Sequence, residues 1–138
     1  MKTTQPLGTL SVLAAASLGK NLFVGFDGNI ASANAKAAGV SDAKTDSGEM
    51  CPVVYSGIAL IISGGTIPQG RAIVVGSGGK AALAGDLSLT IPGGGTAVYS
   101  YTAQPSITPI GCVPVQQIMG WAIDASSGAD QLIRIMLT

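Results

Sequence analysis

The residues best suited to chemistry in this chain are seven carboxylates, two cysteines and a glycine-rich run ending in a lysine. Asp42, Asp46 and Glu49 form the one carboxylate cluster, and oxygen donors so close together suggest calcium. A calcium loop of the EF-hand kind needs a fixed ladder of oxygen ligands between two helices. Neither accompanies the cluster, so no metal site is expected. The remaining carboxylates, Asp27, Asp86, Asp124 and Asp130, stand singly. Most fall in segments that read as turns, where an Asp side chain bonds nearby backbone amides. Gly76-Ser77-Gly78-Gly79-Lys80 has the composition of a phosphate cradle, but it lacks P-loop spacing and no parallel strand–helix–strand pattern surrounds it.

Cys51 and Cys112 lie far apart in sequence, and Cys51 is followed directly by Pro52 with no base close by. Small buried apolar residues are the simplest reading of the pair, a disulfide stays open, and two isolated thiols without histidine argue against zinc. The chain contains no histidine at all. That removes the commonest general base, the usual triad partner and the commonest metal ligand. The expectation is a chain that is not an enzyme, with no catalytic residue, metal or cofactor.

Twenty glycines and seven prolines cut the 138 residues into short pieces rich in Val, Ile, Thr and Tyr, without sustained helical periodicity. Strands are expected near residues 9–14, 22–26, 53–62, 71–75, 96–102, 111–115, 119–123 and 132–137. Residues 33–38 have room for at most one helical turn. The fold class is therefore all-β, a small single-domain barrel or sandwich of short strands. Asp27-Gly28 reads as a tight hairpin, Pro68-Gln69-Gly70 as a turn ahead of residues 71–75, and Gly78-Gly79-Lys80 as a reversal before residues 81–83. Residues 124–130 read as the connection into the last strand.

Two segments stand apart. Lys2 and the apolar residues 7–18 faintly resemble a secretory signal, but Pro6 and Gly8 interrupt it, so residues 1–20 read as a retained N-terminal arm or strand. Residues 21–138 form one β-rich domain with a Pro/Gly-rich insert at about 88–109, expected to project as a hairpin. No stretch has the length of a membrane-spanning helix.

Charged residues are only 10% of the chain, hydrophobic residues 47%, and mean hydropathy is +0.50. So few charges leave much of the exterior to be covered by neighbours, which favours a homo-oligomer, a trimer among the candidates, or an assembly subunit. Seven basic and seven acidic residues are scattered singly, without the basic stripe that nucleic-acid binding requires. Neither nucleic acid nor membrane is expected as a partner.

The order of segments resembles a known family. Residues 39–43, Ser47-Gly48-Glu49, the run 53–60, then Gly64-Gly65-Thr66-Ile67-Pro68-Gln69-Gly70-Arg71, and the ending Gly120-Trp121-Ala122-Ile123-Asp124-Ala125 with residues 132–137 are similar to small phage head-decoration (capsid cement) proteins of the DUF2190 type. The resemblance implies a virion structural protein on the outside of an icosahedral phage head, assembled in the host cytoplasm. It would stabilise the capsid by bridging the major capsid protein, its partner. The expected interface residues are Thr3, Thr4, Gln5, Pro6 and Leu7 of the N-terminal segment, which would add a strand to a capsid-protein edge, Tyr99 and Tyr101 of the insert, and Trp121. On this reading residues 2–10 are dispensable for folding. The alternative is a carbohydrate- or surface-binding adhesive module, against which stands the small number of aromatics, two Phe, three Tyr and one Trp.

Overall fold

The computed structural model describes residues 2–85 and 117–138. They form eight strands: β1 Gln5–Leu13, β2 Phe23–Val24, β3 Gly39–Ser41, β4 Met50–Ile67, β5 Ala72–Val75, β6 Ala81–Leu83, β7 Gly120–Ala122 and β8 Ser126–Leu137. The fold is all-β, with one 3₁₀ turn at Ser77–Gly79 as the helical element of the described residues. The expected strands 96–102 and 111–115, the insert 88–109, and Tyr99, Tyr101 and Cys112 lie outside the described residues.

Five strands close on themselves in the order β4-β6-β5-β7-β8 and back to β4. All neighbours are antiparallel except β4 and β6, which meet in parallel at Ser63 and Ala81. Alternation explains the barrel core. Ala59 and Ile61 of β4, Ile73 and Val75 of β5, and Ile133 and Ile135 of β8 point inward and are fully or almost fully buried. Each such isoleucine contributes roughly 1.5–3 kcal/mol of burial. Phe23, Val40 and Val54 extend this core beneath β2 and β3. A second cluster, Ala14, Leu18, Val24, Cys51 and Val53, lies on the other side of the β4 N-terminal half. Cys51 is thus a small apolar core residue.

β4 is the spine. Its first half pairs with β1 on one flank and β3 on the other, and its second half with β8. Gly57 and Ile58 pair with both β1 and β8, so those two strands lie on opposite flanks. Gly57 has φ +98°, and a Cβ there would collide with the Gln5 carbonyl and the Leu7 amide. Glycine is what allows β1 to lie so close at its bulge.

Buried serines hold the long β4–β8 ladder. Ser126 Oγ donates to the Gly65 carbonyl at 2.7 Å and accepts the Ile67 amide at 3.1 Å. Ser63 Oγ donates to the Gly128 carbonyl at 2.9 Å and accepts the Gln131 amide at 3.2 Å. Residues 126–130, expected as connection, are therefore strand, and the turn shrinks to the residues just before Ser126. Residues 33–38 form no helix: Asn34 takes φ +61°, and a single turn closes from the Ala35 amide to the Ser32 carbonyl at 3.1 Å.

The other expected turns are present. Asp27 accepts the Asn29 amide at 3.1 Å in a hairpin whose Gly28 has φ +81°. The Asn29 side-chain amide also donates to Asp27, at 3.0 Å, and that bond, followed by the backbone one, lowers the Asp27 pKa. Gly70 has φ +80°, and the Ser77–Gly79 turn joins β5 to β6.

Asp124 clamps the β7–β8 turn. Arg134 donates to it through Nε at 2.9 Å, Nη2 at 2.9 Å and its own amide at 3.1 Å. The Arg134 hydrogen bond leads in pulling the Asp124 carboxyl down to about 2. A lowered folded-state pKa adds stability that is complete above the unfolded value, near 3.8, and is lost as pH falls toward about 2. Asp124→Asn should therefore cost roughly 1 kcal/mol at neutral pH, discounted for the 35% exposure of the Arg134 side chain. The deficit should shrink between pH 4 and pH 2, as urea titrations of both proteins over that interval would check.

Candidate interaction surface

Among the described residues, the side chains best suited to chemistry do not assemble. Asp42, Asp46 and Glu49 are exposed, and among the described residues no group of three or more His, Cys, Asp or Glu side chains is placed to hold a metal. Gly76–Lys80 is a hairpin turn whose lysine is occupied, Lys80 Nζ lying 2.6 Å from Asp130 Oδ1. A groove of about 280 Å³ beside it is lined by Gly64, Gly65, Thr66, Gly76, Lys80 and Leu83, and among the described residues its one titratable side chain is that paired lysine.

What the fold exposes instead is apolar surface. β1 pairs with β4 along one edge, and among the described residues its outer edge has no strand partner. Thr3, Gln5 and Pro6 are exposed, Thr4 is half-buried, and Leu7 is 85% exposed. Residues 5–13 contain no charge, and neither does the β4 stretch opposite, residues 50–58. An uncharged edge with open N–H and C=O groups is the surface most prone to accept another strand. The N-terminal segment is thus an edge strand integral to the sheet, not a detachable arm. Deleting residues 2–10 would strip most of β1 from β4.

The other expected interface residue lies around the barrel. Trp121 points outward and is 44% exposed, facing Met136, itself 50% exposed. Met136 pairs in turn with Ile58, and Ile58 with Gln5, so one row crosses β7, β8, β4 and β1. Leu132 and Ile62 form a parallel row, with the Asp124–Arg134 pair between the two. Lys2 reaches over β4 to the Leu132 carbonyl, tying the segment before β1 to this wall.

Leu13, Met50, Tyr55, Leu132 and Met136 are also substantially exposed and were not singled out as interface. One signal was available. Leu7, Leu10 and Leu13 recur every third residue, a spacing that spreads apolar side chains over both faces of a strand, whereas a strand with one covered face needs a spacing of two.

No protein-family model matches the chain, and no curated protein sequence is similar to it. A solved structure is. The head fiber gp8.5 N base of bacteriophage phi29 matches it with a TM-score of 0.62, covering 95% of this chain and 93% of that chain. Identity is 15%, so the likeness is one of fold. It extends over most of both chains.

Proposed function

We propose that this chain is a structural protein of a phage virion, a decoration or cement protein on the outside of an icosahedral head. It has no chemistry of its own and acts by bridging major capsid proteins. The observation that carries the reading is the likeness of fold, over most of both chains, to the base of a phage head fiber. The segment order noted in the sequence and the open edge of β1 support it.

In this mechanism the outer edge of β1 receives an extended segment of the capsid protein, and backbone hydrogen bonds supply the affinity. Leu7 and Leu10 fill apolar recesses on the partner and set the register. Binding only the assembled shell stabilises that shell by mass action.

The test is co-sedimentation of the purified chain with expanded, undecorated heads of the virus that encodes it, followed by heating of the bound and bare heads. Saturable binding with delayed rupture of decorated heads is expected. Heads that leave the chain in the supernatant at every concentration would refute the reading.

A further inference from the structure

Among the described residues, the exposed apolar surfaces at two places on the chain have rims whose charge excess differs in sign, slightly negative at the first and positive at the second. The first is the end of the β1–β4 ribbon. Leu13 and Met50 face each other in register there, 59% and 57% exposed. The turn before β4 wraps this end: the Ala14 amide donates to the Glu49 carbonyl at 2.9 Å, and the Gly48 amide to the Ala14 carbonyl at 2.8 Å. Asp42, Asp46 and Glu49 are all exposed around it, with Lys44 in the same turn and Lys20 on the segment that Leu18 bridges to Thr45.

The second is the wall of Trp121, Met136 and Leu132, where the excess is positive. Lys2 is exposed at the Leu132 carbonyl, and Arg71 is exposed at the start of β5, its carbonyl accepting the Ala122 amide at 2.9 Å. Arg134 stands between the rows, and among the described residues the carboxylate there, Asp124, is already bound to it. Leu13 lies on the β1 flank of β4 and Met136 on its β8 flank.

We infer that the ribbon end of one copy docks on the barrel wall of a second copy, Leu13 and Met50 against Trp121 and Met136, with Asp46 and Glu49 facing Lys2 and Arg71. The charge complementarity is what selects a second copy as the occupant, since a chain of net charge zero carries both signs on separate apolar patches. The contact is heterologous, so copies close into a ring if the rotation permits. It uses neither Leu7 nor the outer edge of β1, so head binding and self-association are separable.

Sedimentation velocity of the full chain, at about 50 mM and about 500 mM salt, tests it. Association at low salt should weaken by about tenfold or more at high salt. Trp121 is the single tryptophan, so its emission should shift to the blue as copies associate. Asp46→Lys with Glu49→Lys should weaken association by about tenfold or more, as should Lys2→Glu with Arg71→Glu. The chain carrying all four changes inverts both rims and should associate again. A wild-type chain that stays monomeric, double variants that associate like wild type, or a fourfold variant no stronger than the doubles would each overturn the inference. Head binding by a monomeric chain would leave the decoration reading standing.

Discussion

Leu7→Asp should weaken binding to undecorated heads by about 30-fold or more while leaving the unfolding transition where it is. The side chain is 85% exposed, so the isolated fold gains almost nothing from it. A surface change of this kind stays within about 0.5 kcal/mol of wild type. In the proposed bound state the same side chain is an apolar anchor beside a newly formed strand pair. Losing such an anchor costs about 2 kcal/mol or more, and a carboxylate placed in the recess adds a desolvation penalty. Leu7→Met, similar in volume and apolar, should bind like wild type. Co-sedimentation isotherms and thermal melts of the three proteins measure both halves. Unchanged affinity for Leu7→Asp would remove the β1 edge from the mechanism.

Phe23→Ala has the opposite signature. Phe23 is fully buried at the end of the barrel core, where β2 and β3 fold over the first half of β4. Its carbonyl accepts the Ala31 amide at 3.0 Å, and Gly79, at φ +73°, packs against its backbone. Removing the ring should cost about 3–5 kcal/mol, a large part of the stability of a domain this size. The melting temperature should fall by roughly 10–20 °C. A much smaller loss in urea unfolding would mean that β2 and β3 are a loosely attached satellite and that the five barrel strands fold without them.

The contrast between these two sites explains what was legible in the sequence. β4, β5 and β8 carry short apolar runs rich in β-branched residues between turn signals, so residues 53–62, 71–75 and 132–137 read as strands from local signals alone. The extensions did not. Gly64 and Gly65 look like a break, yet β4 runs on to Ile67 because Ser63 and Ser126 hold that stretch to β8 through bonds between residues about sixty apart in sequence. Gly39–Ser41 is too short to show a period, and its strand character comes from its partners Phe23 and Val54.

The candidate surface was readable in part for the same reason. The N-terminal residues Thr3 to Leu7 stand out by composition, but that their strand lies on one flank of β4 follows only from the dual pairing of Gly57 and Ile58. Trp121 has no local cue that separates core from surface. The neighbours that decide it, Met136 and Ala72, come from two other strands.

The most direct measurement counts copies. Virus particles from the source of this chain would be purified on a gradient and analysed by quantitative mass spectrometry, with the chain counted against the major shell protein. A decoration protein should be present in a fixed, high ratio and should leave the particles together with their resistance to heat. Particles carrying few or no copies, with shells equally stable either way, would contradict the account.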